Sequence, residues 1–405
     1  MKTETQPRLR FPEFQNAGEW EVKAIGDVFS VTRGEVLSMT LVKEEASEEA
    51  PFPVYSSQTK NKGVAGYYSE HLYEDAITWT TDGANAGDVN FRPGKFYCTN
   101  VCGVLINTNG CANACIAALL NSVTRSHVSY VGNPKLMNGM MAKIEIPFPP
   151  LPEQQKIAEC LSSVDELMAA QARKVDALKT HKRGLMQQLF PREGETQPRL
   201  RFPEFQNVGE WEEDTLDDIA TFRRGSFPQP YGLPEWYDEK NGMPFIQVFD
   251  VGDDFRLKDK TKSKISKLGA EKSVFIPEGT LIVTLQGSIG RVAITHYDAY
   301  IDRTLLIFES FQKPIEKVFF SRVIQNLFDI EKEKAPGGII KTITKESLSD
   351  FKVKYPKIAE QQRIATCLSS LDTLITAETQ KHEALKTHKK GLMQQLFPSP
   401  EEVEA

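Results

Sequence analysis

Membrane-length apolar runs, an apolar export signal and a dense set of cysteines are all missing from this 405-residue chain. No stretch approaches the roughly 20 apolar residues that a membrane helix needs. The opening MKTETQPRLR has no apolar core of the kind that directs export. Six cysteines fit a reducing compartment better than a disulfide framework, so a cytoplasmic location is expected. No GxxxxGK[ST] string occurs, and with it go the backbone cradle and lysine that hold nucleotide phosphates. An Asn/Asp-Pro-Pro-aromatic motif for amino-group methylation is also missing. The nearest string, Phe148-Pro149-Pro150, lacks the polar residue and reads as a rigid lead-in to a helix. Asp329 with Asp350-Phe351-Lys352 only loosely imitates a metal-dependent nuclease site, and no GxSxG-like elbow places a nucleophile. No catalytic residue, metal ligand or cofactor is therefore assigned to this chain.

What is present is globular. Hydrophobic residues make up 40% and charged residues 26%, enough for two or three domains with cores of their own. The net charge of −6 conceals local structure. Residues 257–272 carry six lysines against two acids, and the last seven residues, SPEEVEA, carry three acids and no base. Such a lysine run is usually a solvated face, yet a phosphate-facing patch needs no positive total.

The chain repeats itself. ETQPRLRFPEFQNAGEWE (4–21) returns at 195–212 with Ala17 replaced by Val208 as the one change. EQQKIAECLSSVDELMAAQARKVDALKTHKRGLMQQLFP (153–191) returns at 360–398 with 27 identities in 39 positions and no gap. The order is box, variable region, long segment, twice over: a tandem duplication, not a solenoid. The variable regions differ strongly but keep traces of kinship. IGDVFSVTRG (25–34) and LDDIATFRRG (216–225) follow their boxes at the same offset, and TWTTDGANAGDVNF (78–91) resembles IVTLQGSIGRVAI (282–294). Each of the latter reads as strand, glycine-punctuated loop, strand.

The long repeated segments are helices with a heptad seam. Ile157, Leu161, Val164, Met168, Val175, Leu178, Leu185 and Leu189 form it in the first. Ile364, Leu368, Leu371, Ile375, Leu385, Leu392 and Leu396 form it in the second. Gln171, Lys182, Glu378, His382 and Lys389 interrupt the stripe, where polar residues weaken a seam but can set its register. Pro152 suits a first turn, and Pro191 and Pro398 stop each helix. The expected fold is α/β (α+β): two irregular domains joined by two long antiparallel coiled-coil helices, a pseudo-twofold tandem repeat. The boundaries are 1–150 for the first domain, 151–191 for its helix, 192–356 for the second domain, 357–398 for its helix, and 399–405 for the acidic tail. The duplicated parts either hold a simple helical hairpin together or offer two copies of one docking surface.

Paired RFPEF…GEWE boxes, LPEQQKIAECLSSVDELMAA with its counterpart EQQRIATCLSSLDTLITA, and twin KxGLMQQLFP endings resemble the specificity subunit of a type I restriction–modification enzyme. The resemblance spans the whole chain. It implies a non-catalytic, DNA-binding subunit whose two target recognition domains each read half of an asymmetric, bipartite sequence. It further implies helices that act as a spacer and dock two methyltransferase subunits, to which two restriction subunits are added. S-adenosylmethionine, ATP and magnesium would then belong to those partners. A DNA-modifying enzyme with its own catalytic site and a coiled-coil adaptor with two protein-binding heads stand as alternatives.

DNA reading needs cations and amides on phosphates, and Arg, Lys, Asn or Gln at base edges. In the first variable region the candidates are Arg33, Lys60, Asn61, Lys62, Thr81, Asp82, Asn85 and Lys135. In the second they are Arg223, Arg224, Lys262, Lys264, Gln286, Ser288, Arg291 and Lys341. Gln286 and Arg291 flank a loop between two apolar runs, a good place for a base reader; Lys262 and Lys264 suit phosphates. Cys98, Cys102, Cys111 and Cys115 imitate a zinc pattern, but FYCTNVCGVLI reads as one strand, on which residues four apart stand roughly 13 Å apart. Buried packing thiols are the expectation.

Overall fold

The computed structural model describes residues 5–57, 60–252, 254–334 and 348–398; the acidic tail lies outside them. The side chains of Lys60 and Lys62 and those of residues 332–334 are also outside the description. The contacts divide the chain into two units, Met1–Arg173 with Thr379–Ala405, and Lys174–Glu378. Each unit holds one box, one variable head and parts of both long helices.

In the first unit the head is a six-stranded sheet. Its order is Ser30–Arg33, Cys102–Ile106, Tyr73–Thr80, Val89–Cys98, Phe52–Tyr55, Val64–Tyr68. In the second unit two four-stranded sheets replace it. One runs Ala220–Arg224, Leu305–Phe311, Leu281–Thr284, Val292–Ile294, and the other Ser263–Ile265, Met243–Ile246, Ala299–Ile301, Val274–Ile276. Both heads are closed at the neck in the same way. The strand leaving the box pairs antiparallel with the strand that leads into the long helix: Glu21–Ala24 with Glu145–Phe148, and Glu212–Thr215 with Lys352–Tyr355.

The seam residues form two 39-residue helices, Leu151–Leu189 and Ile358–Leu396. Pro191 and Pro398 each stand two residues beyond the last turn, where a missing N–H cannot extend the ladder. None of the fifteen seam residues is exposed, and Ile157, Leu161, Val164, Val175, Leu189, Ile364, Leu368 and Leu396 are buried outright. In the first unit Ile157 and Leu161 share a core with Leu396 and Phe397, and Lys389 reaches Asp165 at 2.6 and 2.8 Å. In the second unit Leu189 and Phe190 share a core with Ile364 and Leu368, Lys182 bonds Asp372, and Lys174 reaches Glu378 at 3.1 Å. Within each unit the helix parts are therefore antiparallel. Three polar interruptions of the seam, Lys182, Glu378 and Lys389, are register pins with a carboxylate or ammonium opposite.

The boxes explain much of their own repetition. Arg10 donates from Nε and Nη2 to the two carboxylate oxygens of Glu153, each at 2.7 Å, and from Nη1 to the carbonyls of Ala17 and Gly18. Arg201 grips Glu360 at 2.7 and 2.6 Å and the Val208 and Gly209 carbonyls in the same fashion. Gln154 and Gln361, next along, donate to the carbonyls of Pro149 and Pro356 at 2.8 Å and so fix the first turn. At the other end of each box, Leu9 N–H bonds the Gln395 carbonyl and Leu200 N–H bonds that of Gln188, both at 2.9 Å. A box thus clamps the start of one long helix to the end of the other.

The shared Arg-Gly at the end of each head's first sheet strand is also dictated by packing. A Cβ on Gly34 would stand 2.0 Å from the Cys98 carbonyl oxygen, and one on Gly225 would stand 2.4 Å from that of Asp302. Backbone cannot yield as a side-chain tip can. Gly34→Ala and Gly225→Ala should each cost about 1–3 kcal/mol or more, read as a shift in the urea midpoint. An unshifted midpoint would show that the strand ends are free to part.

One expectation fails here. Residues 96–106 are not a single strand: Cys98 ends one strand, Cys102 begins another, and the Cys102 N–H closes a turn on the Thr99 carbonyl at 3.0 Å. The polar Thr-Asn pair supplies the turn. Both thiols are buried; the neighbouring Cys102 and burial push Cys98 well up, while Cys98 and the nearby Arg92 bring Cys102 down. Cys115 is fully buried on the helix Ala114–Val123. Among the described residues no three His, Cys, Asp or Glu side chains come together to hold a metal ion, and no helix is long and apolar enough to cross a membrane.

Candidate nucleic-acid interface

The two heads hold a loop of eight residues and a loop of seven by the same three backbone hydrogen bonds. In the first, the Tyr73–Thr80 strand turns through residues 81–88, with Thr80 N–H bonded to the Asp88 carbonyl and Gly87 N–H to the Thr80 carbonyl. In the second, Leu281–Thr284 turns through 285–291, with Thr284 N–H bonded to the Arg291 carbonyl and Gly290 N–H to the Thr284 carbonyl. Thr81 N–H then bonds the Val101 carbonyl as Leu285 N–H bonds that of Thr304. By these bonds Asp82 holds the place of Gln286, and Gly83 that of Gly287. Both glycines have positive φ, 91° and 64°, which a side chain would resist.

Around the first loop the structure gathers Thr81, Asp82, Asn85 and Lys135. Asp82 is half-buried, and Lys135 is exposed with its Nζ 3.7 Å from the carboxylate. Asn85 is half-buried and its carbonyl accepts the Asp88 N–H. Thr81 faces inward, contrary to its selection as a contact. It is fully buried, and its hydroxyl is spent on Asp82 at 2.8 Å and the Val101 carbonyl at 2.9 Å, so it positions Asp82. Arg33 and Asn61 are exposed but stand elsewhere, one on an edge strand and the other, at φ 50°, in the turn before the opposite edge strand.

Around the second loop Gln286 and Ser288 are exposed at the tip. Arg291 is half-buried, and its Nη1 donates to the Val251 carbonyl at 3.1 Å. Its structural role is therefore to brace the loop against the turn Val248–Asp250, an unanticipated function for a residue chosen as a base reader. Lys262 is exposed beside that turn, its Nζ 4.8 Å over the Phe249 ring. Arg223 lies on the sheet, ion-paired to Glu309 at 2.6 Å, and Arg224 follows it, exposed. Lys264 is half-buried in the Ser263–Ile265 strand opposite Pro244. Lys341 lies outside the described residues.

Burial pushes the Asp250 carboxyl up, opposed by the N–H groups of Gln247 and Lys262 that it accepts at 2.9 Å. Two exposed groups escaped the sequence reading, Phe249 and the Tyr130–Val131 tip of the loop that returns to Lys135. A large apolar residue inside a Gly- and Asp-rich stretch was the available signal. Among the described residues no three His, Cys, Asp or Glu side chains gather at either loop; what converges is acceptors, amides and cations, a set suited to recognition.

A family model described as the type I restriction modification DNA specificity domain matches residues 17–180 and again 208–387. The MjaVIII type I restriction enzyme specificity subunit of Methanocaldococcus jannaschii is 25% identical over 424 residues, covering 96% of this chain and 93% of its own. A chain of Mycoplasma pneumoniae described as a type I specificity subunit is 27% identical over 350 residues, covering 86% of this chain and 88% of its own. In fold, the chain is similar to the crystal structure of a type I restriction-modification S subunit from M. genitalium. The TM-score is 0.62 at 16% identity, with 97% and 99% of the two chains covered.

Proposed function

Because the chain belongs to the type I restriction–modification specificity family, we propose that its two heads each read one half of a bipartite, asymmetric DNA target. The carrying observation is the pair of loops. Their frames share the same backbone hydrogen bonds, while the side chains they carry differ, Asp82 against Gln286. A carboxylate accepts from a cytosine amino group and an amide matches adenine, so equal frames with unequal tips suit two different half-sites. Lys135 and Lys262 supply the phosphate contacts that hold register. The chain itself is non-catalytic in this reading. Two methyltransferase subunits dock on it, bringing S-adenosylmethionine, and restriction subunits bring ATP and magnesium. The duplication of the long helices, 27 identities in 39 positions between 153–191 and 360–398, supports two copies of one partner.

Gel shifts of the methyltransferase complex, followed by methylation-site mapping in cells, test the proposal. Gln286→Ala should relax one half of the target by about 1–3 kcal/mol of discrimination and leave the other half unchanged. The complex should weigh as one specificity chain with two methyltransferase subunits. A variant that altered both halves would defeat the division of labour, and methyl transfer by the isolated chain would defeat the non-catalytic role.

A further inference from the structure

Phe249 is 40% exposed on a turn that is otherwise firmly held. Asp250 beside it is fully buried, accepts the N–H groups of Gln247 and Lys262, and receives the Lys258 N–H on its carbonyl at 2.9 Å. The 285–291 loop is tied to the same turn by Arg291 on the Val251 carbonyl. Gly287 lies so near that a Cβ there would stand 3.4 Å from Val248 Cγ1. One small surface thus presents the Gln286 amide, the Phe249 ring and the Lys262 ammonium.

We propose that Phe249 is a specificity-determining residue that contacts a thymine 5-methyl group, with Gln286 reading adenine beside it. This rests on the DNA-reading role proposed above for the second head. The thymine methyl is the apolar group on the major-groove edge of the base pairs, and a Gln amide is the partner of adenine N6 and N7. The Lys262 ammonium stands over a face of the ring. An edge contact with a methyl is therefore favoured over stacking on an unpaired base, and the lysine is left directed at a phosphate. A braced turn holds the ring in place before DNA arrives, so little ordering is required on binding.

The test uses the full chain in complex with its methyltransferase and the duplex target found by mapping. Each thymine in the half-target relaxed by Gln286→Ala is replaced in turn by deoxyuridine, which removes the methyl and keeps the pairing. One replacement should lower affinity about fourfold, the worth of one buried methyl group. Phe249→Ala should bind the thymine and deoxyuridine duplexes equally, with an unfolding midpoint like that of the unaltered protein. Specific binding by the unaltered complex that ignores every deoxyuridine overturns the proposal and leaves the DNA-reading role intact. A half-target without an A·T pair, or a Phe249→Ala complex that still senses the methyl, overturns it as well. A complex with no sequence-specific binding defeats the DNA-reading role itself.

Discussion

Glu153→Ala should destabilise the protein by about 3–5 kcal/mol, the usual consequence of stranding a buried charge. The stranded group is the Arg10 guanidinium, 9% exposed, whose two carboxylate bonds would vanish while its links to two backbone carbonyls remain. Glu360→Ala should fall in the same range through Arg201, 7% exposed. The two sites are not equivalent, however. Glu153 also accepts the Trp20 indole N–H at 3.1 Å, whereas the indole nitrogen of Trp211 is buried with no hydrogen-bond partner among the described residues. Glu153 should therefore be the costlier loss. Urea unfolding of each variant measures it, and a cost under about 1 kcal/mol would mean that the arginines escape to water.

Asp372→Ala should be comparably severe. Its carboxylate holds Lys182 and receives Arg322 Nη2 at 2.6 Å, and Arg322 is 5% exposed with the Phe255 ring 3.3 Å from its Cζ. Burial already draws the Lys182 and Arg322 values down, and removing the shared anion would leave two buried cations side by side. A loss of about 3–5 kcal/mol is expected. The other repeat provides the control. Asp165 occupies the matching helix position but is 51% exposed and, among the described residues, faces Lys389 alone, so Asp165→Ala should cost less than about 1 kcal/mol. Equal costs at the two sites would mean that the buried arginine has another way to be solvated.

The seam of the long helices was legible because its alternation of four and three runs for nine steps, polar interruptions included, and because prolines mark both ends. The polar breaks in that seam were legible as register devices, but their partners were not. Asp372 lies 190 residues from Lys182, and no local pattern links them. Box repetition alone leaves open a structural clamp or a docking surface; Arg10 and Glu153 show that much of it serves the fold, over a separation of 143 residues. Residue type and loop position single out Thr81 and Arg291, but tertiary neighbours bury Thr81 and tie one nitrogen of the half-buried Arg291 to the Val251 carbonyl. The Cys98–Cys102 turn was missed because apolar residues on either side outweighed a two-residue polar signal.

The sharing of helix parts between units has a consequence during synthesis. The first head, its box and the start of its helix leave the ribosome early, but Leu392, Met393, Leu396 and Phe397, which complete that core, come from the far end of the second helix. Unit one ends its first segment at Arg173 and resumes at Thr379. At about 5–20 residues per second, the intervening stretch takes roughly 10–40 s to make. For that interval Ile157 and Leu161 present an apolar stripe without its partner, on a chain still being translated. Unit two waits for nothing of the kind: its borrowed helix end, Lys174 to Leu189, is made before its own head begins. The same duplication therefore yields one half that can close as it emerges and one that must be kept soluble until the second long helix has been made.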